Sequence, residues 1–220
     1  MNRTRIEYCD YTWNPVTGCM HGCPYCYARR ISLKRGDDFK PKLHPERLSQ
    51  PLHVKKPSII FAVDMGDLFG EWVPREWIEA VLRIVSKAYW HTFLFLTKNP
   101  KRYFEFSFPR NAWIGTTIDT QKRAENVKYL LMAEASIKFI SFEPLLEKID
   151  IDLNGIDWII IGAQTKPEIQ PPDGAVEKLL LQADRLGIPV FMKDNLRLEP
   201  KRREFPQTRR KPHPSLQLSF

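Results

Sequence analysis

The chain reads as an α/β protein whose parallel sheet closes only part of the way round a barrel. Three observations predict this. Apolar runs rich in β-branched and aromatic residues alternate with helical stretches, and each helix returns the chain for another parallel strand. Six successive runs end in polar residues at the same end, as strands do when a site is built on the rim of a barrel. With 220 residues, the chain falls short of the roughly 250 of a closed eight-stranded barrel.

The elements follow in order. Alternating aromatic and polar residues from Tyr8 to Val16 predict a first strand. It leads into Cys19-Met20-His21-Gly22-Cys23-Pro24-Tyr25-Cys26, where Gly22 and Pro24 supply tight bends. Tyr27 to Arg35 reads as a helix with a basic exposed face, stopped at Gly36. Pro41, Pro45, Pro51 and Pro57 make residues 36–57 a loop with at most a turn of helix. Ser58 to Val63 is a continuous apolar run, the mark of a strand buried on both faces, ending in Asp64-Met65-Gly66-Asp67.

Pro74 opens a helix to about Tyr89, with Ile78, Val81, Leu82 and Val85 on one stripe. Thr92 to Leu96 is a strand ending in Thr97-Lys98, and a short helix runs from Pro100 to about Phe106. Ala112 to Gly115 ends in Thr116-Thr117, after which Asp119 is placed to cap a helix carrying Ala124, Val127, Leu130 and Leu131 inward. Ile137 to Ile140 ends in Ser141-Phe142-Glu143, and Asp157 to Ile161 in Gly162-Ala163-Gln164. Asp173 is placed to cap the last helix, with Val176, Leu179, Leu180 and Ala183 inward and Gly187 as its stop. Ile188 to Met192 closes the series at Lys193. We therefore expect a barrel domain over residues 1–196 and a basic, Pro-rich tail over 197–220.

Bulk properties exclude several classes. Hydrophobic residues make up 43% of the chain, which suits a folded soluble domain and not a disordered one. No apolar run approaches the roughly 20 residues that span a membrane, and no apolar segment follows the basic N-terminus as in a signal peptide. The expectation is a cytoplasmic protein. A net charge of +8 favours a polyanionic partner. Much of it is local: seven Lys/Arg face only Glu199 and Glu204 between Arg197 and Lys211, interleaved with prolines that rule out a regular helix. Arg197, Arg202 and Arg203, with Lys193 at the rim, are the candidate nucleic-acid contacts, weighed about evenly against a solvated terminus.

The chemistry centres on Cys19, Cys23 and Cys26, spaced C-x3-C-x2-C. Three sulfurs can converge on one inorganic centre, yet structural zinc takes four closed ligands and ordinary iron–sulfur clusters take four cysteines. A three-cysteine loop therefore suggests a cubane with one iron left open. A zinc site completed by His21 or Cys9 is the alternative; Cys9 reads otherwise as a small buried hydrophobe. The spacing, with Tyr25 just before the last cysteine, resembles the signature of the radical S-adenosylmethionine (SAM) superfamily. That resemblance implies a six-stranded partial barrel with the cluster loop after the first strand. It also implies a [4Fe-4S] cluster on the three cysteines, SAM chelated to the open iron, and reductive cleavage to a hydrogen-abstracting 5'-deoxyadenosyl radical, with an external electron donor.

A closer resemblance covers most of the chain. Trp13 to Cys19, Cys26-Tyr27-Ala28, Asp67-Leu68-Phe69, Leu96-Thr97-Lys98, Trp113-Ile114-Gly115, Phe142 to Leu145 and Trp158 to Gly162 look like a phage- and mobile-element-associated family of radical SAM-like proteins. Spore photoproduct lyase is a more distant look-alike. The Asp64-Met65-Gly66-Asp67 turn occupies the place of the superfamily's motif for the SAM amino group, although the usual Gly-Gly-Glu is absent. Donors for the ribose and carboxylate are available from Thr97, Lys98, Thr116, Thr117 and Ser141, while Glu143 and Gln164 suit SAM or substrate. The expected function is SAM cleavage and hydrogen abstraction from a substrate such as a nucleic acid or nucleotide, with that substrate or a partner protein covering the rim. The alternative is a nucleic-acid-binding protein with a structural metal and no turnover.

Overall fold

The computed structural model describes residues 1–207. Its elements run β1 (Asn2–Arg3), β2 (Tyr11–Thr12), β3 (Val16–Thr17), α1 (Tyr27–Lys34), β4 (Lys42–Leu43), β5 (Ile59–Phe61), α2 (Arg75–Lys87), β6 (Thr92–Thr97) and β7 (Ala112–Thr117). Then follow α3 (Asn126–Met132), β8 (Ile137–Phe142), β9 (Trp158–Ile161), β10 (Gln164–Thr165), β11 (Glu168–Ile169), α4 (Ala175–Leu186) and β12 (Val190–Met192).

Eight strands form one sheet in the order β1-β2-β5-β6-β7-β8-β9-β12. Every pairing from β2 to β12 is parallel, and β1 adds an antiparallel strand at one edge. The sheet curls into a partial barrel, as the alternation of strands and helices predicts. All seven expected strands are present, but the first shrinks from Tyr8–Val16 to two residues of the sheet. Its remainder leaves the sheet to pair β3 with β4, a hairpin-like contact that anchors the loop before the cysteines.

The period-2 alternation of the central strands sorts two cores. Phe93, Phe95, Ile114, Ile140, Phe142 and Ile159 face the helix layer, while Leu94, Trp113, Phe139, Trp158 and Ile160 fill the barrel interior. Helix α2 buries the expected stripe of Ile78, Val81, Leu82 and Val85. The segment after Pro100 is a 3-10 helix over Pro100–Glu105.

Both expected aspartate caps fail. Gly174, in a left-handed conformation, occupies the N-cap of α4, leaving Asp173 outside it. Asp119 is drawn inward, and α3 starts seven residues later at Asn126. Among the described residues of the tail, Arg203 bridges Phe191 in antiparallel fashion, and the Glu204 N–H donates to the Val190 carbonyl at 3.0 Å. The Trp158 indole N–H donates to the Glu204 carbonyl at 2.9 Å. This stretch thus lies along the outer edge of β12; residues 208–220 of the expected tail fall outside the described residues.

Candidate functional site

Cys19, Cys23 and Cys26 reach one place because a backbone contact holds their loop against the sheet. Gly18 has φ +90, a conformation that favours glycine, and its N–H donates to the Met65 carbonyl at 2.9 Å. The Cys19 N–H donates to the Phe39 carbonyl at 3.1 Å, fixing the loop on its other side. Cys26 then caps α1, its sulfur accepting the Arg29 N–H at 3.3 Å.

The loop roofs a cavity of about 500 Å3 at the C-terminal ends of the parallel strands. Into it face the three cysteines and, of the residues expected from sequence, Tyr25, Asp64, Gly66, Asp67, Thr97, Lys98, Thr117, Ser141, Glu143, Gln164 and Lys193. Met65 and Thr116 do not line it. Met65 is spent on the scaffold, its N–H donating to Asn14 Oδ1 at 2.9 Å. Thr116 is one residue out of phase with Thr117: it shares the helix-facing parity of Ile114 and donates to the Thr97 carbonyl at 2.9 Å.

Arg197, Arg202 and Arg203 also lie away from the cavity. Arg197 pairs with Glu168 at 2.7 Å, Arg202 with Asp184 and Glu204, and Arg203 with Asp194 while its guanidinium stacks over Phe191. Each is neutralised within the protein. Arg5, at the cavity wall and exposed, is a cation that the sequence reading did not single out.

The two aspartates of the turn differ in what they have left to offer. Asp67 accepts Thr97 Oγ1 at 2.7 Å and the Phe69 N–H at 3.0 Å on one oxygen, and the Lys98 N–H at 3.0 Å and His21 Nε2 at 2.7 Å on the other. A carboxylate has about four acceptor sites, so Asp67 is saturated and acts as a brace. Among the described residues Asp64 takes only Asn14 Nδ2 at 2.5 Å and the Tyr27 hydroxyl at 3.2 Å on its side chain. It keeps unused acceptor capacity.

A second brace joins Tyr25 to the sheet. Its hydroxyl donates to Asp119, and Lys98 Nζ reaches the same hydroxyl and lies 2.5 Å from Asp119 Oδ2. Arg123 Nε stands 2.9 Å from the other oxygen. Burial acts to raise the Asp119 pKa, but Lys98, Tyr25 and Arg123 outweigh it and hold the carboxyl below its ordinary range. Burial and then Asp119 push the Tyr25 phenol upward, keeping it protonated. Across the cavity Lys193 is paired with Glu143, with Glu7 at 3.8 Å; burial opposes its charge, yet the two carboxylates raise its pKa.

These residues fit a ligand. Ser141 is fully buried, lines the cavity, and its Oγ has no hydrogen-bond partner among the described residues, an unmet demand that a bound polar molecule would satisfy. Thr117, in register with Ser141 across the β7–β8 ladder, puts a second hydroxyl beside it. All four cysteines are free thiols. Burial pushes both Cys19 and Cys9 up to about 12. Cys9 sits against the interior core and does not line the cavity. Among the described residues no group of three or more His, Cys, Asp or Glu closes on a single metal ion. A cubane makes a different demand, since its three cysteines address three separate irons.

Asn14, Asp119 and Arg123, like Arg5, are site residues that sequence reasoning missed. Asn14 lies in the Trp13-Asn14-Pro15 motif, so a signal was present; Asp119 was read as a helix cap, and nothing in the sequence distinguishes Arg123 from a solvated cation.

Three comparisons bear on this site. A family model described as "Protein of unknown function (DUF5131)" matches residues 3–211. No curated protein matches the chain. Among solved structures, spore photoproduct lyase complexed with dinucleoside spore photoproduct aligns over 84% of this chain and 63% of its own, with a TM-score of 0.51 and 11% identity. A tyrosine-to-phenylalanine variant of that lyase aligns over the same shares at TM-score 0.50 and 11% identity. The chain thus spans about 63% of the length of these structures, and the likeness establishes a shared partial-barrel fold.

Proposed function

We propose that this chain, which belongs to the DUF5131 family, is a radical SAM enzyme. One observation carries the reading: the three motif cysteines and the polar ends of successive parallel strands line the same cavity. When bound, a [4Fe-4S] cluster and SAM would supply one-electron cleavage of SAM to methionine and a hydrogen-abstracting 5'-deoxyadenosyl radical.

The protein's own residues would do the rest. Cys19, Cys23 and Cys26 hold the cluster as thiolates. Asp64, with acceptor sites to spare, receives an ammonium group, and Ser141 and Thr117 hydrogen-bond hydroxyls of the bound molecule. Tyr8, Phe61, Val63 and Leu96 give the cavity an apolar side that excludes water from a reactive carbon centre.

For the substrate we favour a nucleic acid or nucleotide. One solved neighbour is a lyase complexed with a dinucleoside, the chain carries +8, and the exposed Arg5 stands at the cavity wall. The assignment to phage- and mobile-element-associated relatives, and a reducing cytoplasmic setting, belong to the same proposal. The test is anaerobic reconstitution with iron and sulfide, followed by SAM and dithionite. A [4Fe-4S] absorption spectrum and release of 5'-deoxyadenosine are expected; a reconstituted protein showing neither removes the enzyme reading.

A further inference from the structure

The neighbouring strands β8, β9 and β12 end in Glu143, Gln164 and Lys193, and all three residues line the cavity. Lys193 Nζ is seated on one oxygen of Glu143. Beneath the pair lies Gly162, where a β-carbon would stand 3.1 Å from Lys193 Cδ and 3.2 Å from Glu143 Cγ, so the missing side chain lets the two stems meet. The Asn195 amide accepts the Ala163 N–H at 3.1 Å and donates to the Ala163 carbonyl at 2.7 Å, which fixes the chain just before Gln164. The Gln164 amide in turn donates to the Pro167 carbonyl at 2.9 Å, and its oxygen is left as an acceptor. Among the described residues nothing donates to that oxygen or to the second oxygen of Glu143, although Gln164 is only 8% exposed. Lys193 keeps protons beyond the one it gives to Glu143. Ser141, buried without a partner two residues before Glu143, marks the same wall as unsatisfied until a ligand arrives.

We propose that this wall reads the Watson–Crick edge of guanine. The inference rests on the radical SAM reading and names the base within its nucleic acid or nucleotide substrate. Along that edge guanine offers a carbonyl acceptor, a ring N–H and an exocyclic amine. The wall offers a partner for each: a Lys193 donor and the acceptors of Glu143 and Gln164. Thymine or uracil has one N–H between two carbonyls, and would leave one buried acceptor unpaired and turn a carbonyl toward it. A guanidinium also carries paired N–H groups, but it would meet Lys193 and the exposed Arg5 as like charges. Tyr8 and Phe61, edge to face with ring centroids 6.1 Å apart, give the base an apolar side.

The test is calorimetric titration of the full-length protein, reconstituted anaerobically and kept without reductant. Three nucleotides share the sugar and phosphate: dGMP, dIMP, which lacks only the exocyclic amine, and dTMP. dGMP should bind saturably, and the other two at least tenfold more weakly, the loss expected when about one hydrogen bond goes unmade. Glu143→Gln should weaken dGMP binding at least tenfold with unchanged circular dichroism, and Gln164→Met should abolish the preference for dGMP over dIMP. No saturable dGMP binding, equal binding of dIMP or dTMP, or tighter binding of Nα-acetylarginine amide overturns the proposal. Titration requires no radical, so the two readings separate. Selective dGMP binding by a protein that releases no 5'-deoxyadenosine sinks the radical reading alone, whereas 5'-deoxyadenosine release without dGMP selectivity sinks the guanine assignment alone.

Discussion

Gly66 lies so close to Gly18 that a β-carbon on it would sit 2.7 Å from the Gly18 carbonyl oxygen. The two residues also form a parallel bridge outside any strand. The loop bearing the cysteines therefore meets the turn after β5 backbone to backbone at this point, an approach that the missing side chain of Gly66 permits.

Substituting Gly66→Ala should push the loop off this seat. Overpacking of this kind costs about 1–3 kcal/mol. We expect a lower urea midpoint with an unchanged slope, and reconstituted iron content reduced below three-quarters of the unsubstituted protein. An unchanged midpoint would show that the contact gives way easily.

Asp119→Asn removes the charge that Lys98 and Arg123 share while leaving the shape. Lys98 and Asp119 have side chains only 11% and 6% exposed. Breaking a buried pair by removing one partner costs about 3 kcal/mol. Because the Asp119 pKa is depressed on folding, its contribution is complete above the unfolded value of about 4 and is lost as pH falls through the lower folded value. Denaturation scans should show that the substituted protein loses less stability between pH 5 and the acid limit, at about those values, than the original does. Parallel curves would mean that Asp119 is not tied to its cations.

Asp67 and Thr97 share one hydrogen bond but differ in how many groups depend on them. Thr97→Val removes the donor to Asp67 and the acceptor of the Asn99 N–H, and should cost about 2 kcal/mol. Asp67→Ala frees Thr97, His21 and two backbone N–H groups together, and should cost at least about 3 kcal/mol. Chemical denaturation of both variants checks the ranking; equal losses would contradict the four-bond brace.

Thiol chemistry offers a fourth check. Cys9 and Cys19 are pushed up to about 12 by burial, so at pH 8 both are overwhelmingly thiols and poor nucleophiles. In the metal-free protein, alkylation followed by peptide mapping should leave these two largely unmodified, with labelling rising about tenfold per pH unit. Cys9→Ala should leave reconstituted iron content unchanged, since Cys9 lies outside the cavity.

The fold was legible because its signals are periodic. Stripes such as Ile78-Val81-Leu82-Val85 and runs such as Trp158-Ile159-Ile160-Ile161 report burial directly, and the structure buries them as read. The rim was legible less finely. A polar pair at a strand end shows that the strand stops there, but the phase of the pleat decides which member turns inward, and Thr116-Thr117 gives no local clue. Asp119 was misread because a carboxylate before a helical stretch looks the same whether it caps that helix or turns toward Lys98, 21 positions earlier. Long-range pairing also explains the arginines of residues 197–203, whose carboxylate partners come from α4, the β10–β11 hairpin and the turn after β12.

The stretch from Arg202 to Phe205 has a bearing on how this protein can be handled. It occupies the main-chain donors and acceptors of Val190 and Met192 and lays Phe205 against Trp158, ring centroids 5.3 Å apart. A version trimmed back to Leu196 would offer a naked strand to the next molecule and uncover an indole, inviting self-association. Purification handles and fusion partners are therefore better joined beyond Gln207 than to a shortened barrel.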